Sequence, residues 1–248
     1  MAYLGGKAKN SEHILDILND PQFDGMDYLE PFVGYCHILR RVENKKSYTA
    51  SDNNPLLMSL LNGVKQNKKI PFVTRKKYYE LKDQHNNHSF ERAVACFTMS
   101  YNGKAWGGYV LNNKKSPSFQ KYGKVMNYRQ QRINYYNNLY NNPIFRNTTL
   151  RTISYDKLNP KNKLIYCDPP YQNTTGYKID SKDNDFDHDK FWNTMRKWSK
   201  NNIVFISEYN APKDFIQVSS NMKNSTISRD TLKKVREEKL FIHKSLLE

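Results

Sequence analysis

Four consecutive residues, Asp168-Pro169-Pro170-Tyr171, follow directly on the apolar run Leu164 to Cys167. A run of that kind reads as a buried strand, and the edge where such strands end is where open α/β sheets place ligands. Two prolines freeze the backbone and remove two N–H donors, which leaves the carbonyl groups there available as acceptors. A carboxylate, a rigidly held carbonyl and an aromatic face together suit a planar ring carrying an exocyclic amino group. Asp168 and the Pro169 carbonyl would accept the two amino hydrogens while Tyr171 stacks on the ring. A rigid surface turn is the plainer use of the same residues.

A second group lies near the start of the chain, Glu30-Pro31-Phe32-Val33-Gly34, with Asp52 eighteen positions after Gly34. Glycine at a strand-ending turn lets the backbone approach a ligand, and an acid at this distance occupies the place of the ribose-binding carboxylate in dinucleotide folds. A helix-capping Asp is the alternative for Asp52. Gly5-Gly6-Lys7 does not complete a phosphate-loop pattern. The acids Asp183, Asp185, Asp187 and Asp189 lack the glycine and terminal Glu of a calcium loop. No metal is therefore expected.

Both groups must be held by a sheet. Helical spacing of Ile14, Leu15 and Leu18 ends before Pro21; a strand is predicted over Met26 to Phe32 and a short helix near Cys36 to Val42. Ser47 to Ser51 reads as a second strand ending on Asp52, and a helix carrying Leu56, Leu57, Leu60 and Leu61 begins at Pro55. This is the βαβ start of a parallel sheet. The middle, from about 67 to 147, changes character. Two amphipathic helices, one after Thr74 and one over Phe90 to Met99, precede a Gly-rich loop and a stretch crowded with Lys, Arg, Tyr and Asn. The sheet is predicted to resume at Thr149 to Tyr155 and Leu164 to Cys167. A helix capped by Asp187 and the apolar strand Ile203 to Ser207 follow, and Phe215 to Val218 with Lys239 to His243 close as a hairpin.

The chain has 40 Lys plus Arg against 24 Asp plus Glu, a net charge of +16 over 248 residues. Such a surplus favours a polyanionic partner, since phosphate contacts release condensed counterions. Three scattered cysteines, Cys36, Cys96 and Cys167, form no disulfide framework or zinc pattern, and no long apolar segment occurs. The expectation is a cytoplasmic, monomeric protein without a membrane segment.

Taken in order, Tyr3-Leu4-Gly5-Gly6-Lys7, Glu30 to Gly34, Ser51-Asp52-Asn53, Asp168 to Tyr171 and Ser207-Glu208-Tyr209-Asn210-Ala211-Pro212 resemble the D12-class, Dam-like DNA adenine-N6 methyltransferases, in their phage-type branch. Gly103 to Tyr109, Phe186-Asp187-His188 with Phe191-Trp192, and Glu238 to Phe241 extend the resemblance over nearly the whole chain. It implies an α/β, Rossmann-like class I methyltransferase sheet with an inserted, mainly helical target-recognition module. The catalytic domain would comprise 1–66 and 148–248, and the DNA-binding insertion 67–147. It implies S-adenosyl-L-methionine as cofactor, contacted by Tyr3, Gly6, Lys7, Glu30, Phe32, Gly34, Asp52, Asn53 and Asp168. It also implies catalysis by Asp168, Pro169, Pro170 and Tyr171 on an adenine flipped out of double-stranded DNA. Tyr35 stands where members often carry a second glycine, a departure by which a side chain could crowd the cofactor or force φ away from a favourable value.

Recognition falls to the basic insertion. Lys104, Lys121, Arg129 and Arg132 are the expected DNA contacts, with Lys104 foremost because glycines flank it in a loop. Methylation of RNA adenine, or a noncatalytic DNA-binding relic of the fold, are the competing readings.

Overall fold

The computed structural model describes residues 11–101, 104–111, 119, 123, 127–171, 186–224 and 235–247. The insertion residues Lys114, Lys115, Lys121 and Lys124, together with Tyr3, Gly6, Lys7, Asp183 and Asp185, lie outside them. Seven strands form one sheet: β1 (Asp27–Glu30), β2 (Ser47–Asp52), β3 (Thr149–Thr152), β4 (Lys163–Cys167), β5 (Ile203–Glu208), β6 (Phe215–Asn224) and β7 (Val235–His243). Their order is β3-β2-β1-β4-β5-β7-β6. The first five are mutually parallel, and β7 runs antiparallel between β5 and β6. The chain returns to the middle of the sheet between β1 and β4, the switch point at which such sheets bind ligands.

Seven helices accompany the described strands: α1 (Glu12–Leu18), α2 (Pro55–Lys65), α3 (Arg75–Lys82), α4 (Phe90–Thr98), α5 (Tyr128–Asn141), α6 (Pro143–Asn147) and α7 (His188–Trp198). Side-chain alternation along the central strands decides which layer each meets. Tyr28, Leu164, Tyr166, Phe205, Leu240 and Ile242 join one apolar cluster with α1, α2, α4 and α5. Leu29, Ile165, Cys167, Val204, Ile206 and Phe241 join a second with Phe191, Trp192, Met195 and Trp198 of α7. The sheet is thus covered on both faces, which explains why β4 and β5 are apolar almost throughout.

Local chemistry sets the helix starts. Asn54 accepts from the amides of Leu56 and Leu57 at 3.0 and 3.1 Å, and Pro55 occupies the first turn of α2. Asp187 caps α7 by accepting from Lys190 N at 2.8 Å, as its sequence position predicted. Gly63 permits close approach of α2 to α4, because a β-carbon there would lie 2.1 Å from the Phe90 ring. The segment between β2 and β3 shares the sheet's own core: Val73, Tyr78, Leu81, Phe97, Met99, Tyr136 and Leu139 all belong to the first cluster.

Three predicted elements differ in extent. The helix expected over Cys36 to Val42 is a single 3-10 turn, Leu39–Arg41, because Cys36 takes a left-handed conformation (φ +57) that no helix continues through. β3 stops at Thr152, after which the chain turns at Tyr155–Lys157. The closing hairpin is longer than predicted, since β6 and β7 pair from Phe215↔His243 to Asn224↔Val235.

Candidate active site

Each parallel strand of the sheet's middle ends on, or just before, an acid. Glu30 ends β1, Asp52 ends β2, Glu208 ends β5, and Asp168 follows the last residue of β4. Four carboxylates therefore line the carboxyl edge of a strongly basic chain, a local field that favours a cationic group there.

Asp52 is the best resolved of them. Its Oδ2 accepts from Gly34 N at 3.3 Å and its Oδ1 from Asn54 N at 2.9 Å. Burial pushes its carboxyl up from 3.8 to about 6, against the opposing pull of those backbone donors and of Asn53. Gly34 adopts φ +48, a left-handed value that favours glycine, and a β-carbon there would meet open space. The turn is thus shaped by its hydrogen bonds to β2, including Val33 N to Ser51 O at 3.0 Å, and its outer side is clear. Asn53 is exposed beside Asp52.

Glu30 is buried and accepts from the Tyr28 hydroxyl at 2.8 Å. Phe32 is half-buried among aromatic rings, 5.2 Å from Tyr155, 6.0 Å from Phe186 and 5.8 Å from Phe191. That cluster braces the loop after β1 against α7. Burial, with Asp156 and Asp187 adding to it, pushes the Tyr155 hydroxyl up to about 12, so it stays a neutral donor.

The Asp168 to Tyr171 strip is built next to this. Asp168 and Pro170 are partly exposed and Pro169 is buried. The Tyr171 hydroxyl donates to Glu238 Oε1 on β7, and its ring meets Tyr209 edge-on at 4.8 Å. Burial, together with the charges of Asp168 and Glu238, holds this hydroxyl well above its ordinary value, so the phenol remains protonated. Beneath the strip, Tyr166 and Ser207 bond hydroxyl to hydroxyl at 2.8 Å across β4 and β5. Glu208 accepts from Tyr209 N at 2.6 Å and approaches His188 Nδ1 at 4.0 Å. Burial lowers the pKa of His188.

A family model described as D12 class N6 adenine-specific DNA methyltransferase matches residues 3–239. The chain belongs to that family. It is an adenine-specific DNA methyltransferase that uses S-adenosylmethionine, and DNA is its partner. No curated protein is significantly similar to it in sequence. Similar solved structures include a conserved hypothetical protein from Streptococcus pyogenes, at 10% identity and a TM-score of 0.40, covering 94% of each chain. Two structures of the rRNA methyltransferase aviRa from Streptomyces viridochromogenes are also similar, at 9% and 11% identity with TM-scores of 0.41 and 0.42. They cover 98% of this chain and 86% and 88% of theirs.

The methyltransferase brings Glu30, Phe32, Gly34, Asp52 and Asp168 to one sheet edge, as the motif order implied. Tyr35 behaves differently from the expectation. Positive φ in this loop belongs to Gly34 and Cys36, and the Tyr35 ring turns into the core, 5.9 Å from Phe97 and 6.5 Å from Tyr136. The ring is buried there, and the left-handed φ values of the turn fall on its neighbours rather than on Tyr35.

Arg132 is a correction. It was expected at DNA phosphates, but it is 4% exposed and donates through Nη1 to the Thr98 carbonyl at 2.5 Å, so it supports the end of α4. Burial lowers its pKa. Arg129 is half-buried, with its guanidinium 4.9 Å from the ring centre of the exposed Phe72. Lys104 is exposed in its loop, as expected. Glu238 received no role from spacing, since only strand pairing delivers it to Tyr171. Glu208 carried a readable signal, an acid ending an apolar run as Asp168 does. Among the described residues no cluster of metal-ligating side chains occurs, and no helix is long and apolar enough to cross a membrane.

Proposed function

We propose that the Asp168 to Tyr171 strip holds the target adenine and that the Gly34 turn with Asp52 holds the cofactor. The observation that carries this reading is the clamp on Tyr171. Its hydroxyl is tied to Glu238 and its ring is set against Tyr209, which fixes an aromatic face beside Asp168 at the mouth of the sheet. A stacking platform that is already immobile loses little freedom when a base settles on it.

S-adenosylmethionine supplies the electrophilic methyl group when bound. The residues fit its recognition: Asp52 keeps acceptor capacity beyond its backbone donors, matching vicinal ribose hydroxyls, and the acidic edge suits its positive charge. Gly34 N is bonded to Asp52, and the exposed Asn53 follows Asp52 in the chain. Tyr3, Gly6 and Lys7 complete the set by family resemblance.

On the substrate side, Asp168 and the Pro169 carbonyl accept the two hydrogens of N6. The adenine amino lone pair is delocalised into the ring, and two acceptors draw the nitrogen toward tetrahedral geometry and localise that pair. Bound S-adenosylmethionine would supply the methyl cation equivalent to N6 with its thioether as leaving group, and the proton that N6 sheds passes by way of the partly exposed Asp168 to solvent. Positioning and fixed charges supply the acceleration, with no covalent enzyme intermediate. The base leaves the duplex first, which costs roughly a few kcal/mol.

Segment 67–147 reads the DNA, with Lys104, Lys121 and Arg129 as phosphate contacts. Tritiated-methyl transfer to unmethylated plasmid, compared with RNA, tests the substrate. Asp168→Ala is expected to abolish transfer while leaving the fold intact. Equal transfer to RNA, or transfer by Asp168→Ala at the wild-type rate, would overturn the reading.

A further inference from the structure

Tyr135, on α5 within segment 67–147, is bonded to the turn after β1. Its hydroxyl donates to the backbone carbonyl of Tyr35 and lies 3.3 Å from His37 Nδ1. The Arg40 guanidinium sits 5.2 Å from its ring centre. Burial, with Arg40 nearby, lowers the pKa of His37 to about 4, so the imidazole is neutral and does not compete as a cation for this arrangement.

The turn needs such external support. Gly34 and Cys36, on either side of Tyr35, both hold left-handed φ values, +48 and +57. For Cys36 the β-carbon makes that conformation unfavourable. Tyr35 meets this demand twice. Its ring packs between Phe97 of α4 and Tyr136 of α5, while its carbonyl is capped by Tyr135.

The same helix, itself part of segment 67–147, supports the start of the Lys104 loop one turn earlier. Arg132 donates to the Thr98 carbonyl at the end of α4. Ser100 then pairs with Tyr109, and Tyr101 N donates to Gly108 O at 2.7 Å, closing the loop that presents Lys104. Two positions three residues apart on α5 therefore reach the two loops that would meet DNA and cofactor.

We propose that Tyr135 is a positioning residue whose hydroxyl lets α5 hold the Gly34 to Cys36 turn in its cofactor-receiving shape, so that DNA engaged by the recognition segment tightens cofactor binding. This rests on the reading that the Gly34 turn receives the cofactor. By linkage, cofactor would tighten DNA binding by the same factor.

The test is calorimetric titration of the full chain with S-adenosylhomocysteine, which cannot be turned over, with and without a duplex that the enzyme methylates. Tyr135→Phe removes only the hydroxyl. The cofactor Kd is expected to rise about 3- to 10-fold, the range of one net hydrogen bond. The DNA Kd of the cofactor-free protein stays within about twofold, and the DNA-induced tightening of cofactor binding falls toward one. An unchanged cofactor Kd, or equal weakening of cofactor and DNA binding, overturns the proposal. Tyr135→Phe keeps the ring and its contacts with His37 and Tyr136, so a melting scan of the unliganded variant that matches wild type shows that only the hydroxyl is being tested. Asp52→Asn separates the two layers of the argument. If it leaves cofactor affinity unchanged, the placement of the cofactor fails; if it lowers affinity while Tyr135→Phe does not, only the role of Tyr135 fails.

Discussion

Asp52→Asn sets stability against binding, and the structure gives the size of the conflict. The Asp52 carboxyl rises from 3.8 to about 6 in the folded chain because burial disfavours its charge. A raised acid binds protons more tightly when folded than when unfolded, so stability declines as pH rises from about 4 to 6 and stays low above that. A rise of that size corresponds to about 3 kcal/mol at pH 7.5, of which roughly half is already present at pH 5. Asparagine carries no charge but still accepts through one oxygen, which leaves either Gly34 N or Asn54 N with a poorer partner, at a cost of about 1 kcal/mol. Unliganded Asp52→Asn is therefore expected to be more stable than wild type at pH 7.5 by about 2 kcal/mol. That advantage shrinks to less than half at pH 5. Urea denaturation of both proteins at the two pH values measures this. The same substitution should weaken cofactor binding at pH 7.5, and wild-type binding should weaken below about pH 6 as Asp52 protonates. A variant less stable than wild type by the same amount at both pH values would refute the reasoning. Such a result would mean that Asp52 is held by its hydrogen bonds rather than penalised by burial.

Four further outcomes follow from the structure. Gly63→Ala drives a β-carbon into the Phe90 ring and should lower stability by about 1–3 kcal/mol in urea denaturation. Arg132→Ala strips the Thr98 carbonyl of its buried donor and should destabilise by about 2 kcal/mol. Lys104→Ala should leave stability unchanged and reduce the salt slope of DNA binding by about 1, read by fluorescence anisotropy across a salt series. Glu238→Ala frees the Tyr171 hydroxyl and should slow single-turnover methyl transfer about 10- to 100-fold, with the KM for S-adenosylmethionine unchanged.

Much of this protein is legible from residue order alone. Periodicity places β1, β2, β4, β5, α2 and α7, because apolar runs and caps are local events. Asp187 capping α7 and Asn54 capping α2 involve donors only two or three residues away. The motifs at Glu30, Asp52 and Asp168 are legible for a related reason: each marks where a strand ends, and a parallel sheet necessarily brings such ends to one edge.

What sequence could not decide is which distant side chains meet. Glu238 reaches Tyr171 only through the pairing of β7 against β5, and Tyr135 reaches Tyr35 across 100 residues. Arg132 looks like any other basic residue of the insertion, and only the packing of α5 on α4 shows it buried. Tyr35 is the clearest case. By residue type it is a bulky intruder in a glycine turn, and the φ values of its neighbours and the hollow between α4 and α5 make it an anchor instead. Residue type and short spacing determine what chemistry is on offer and at which strand ends. Long-range packing decides the direction in which a side chain points, and so whether it meets substrate, cofactor or core.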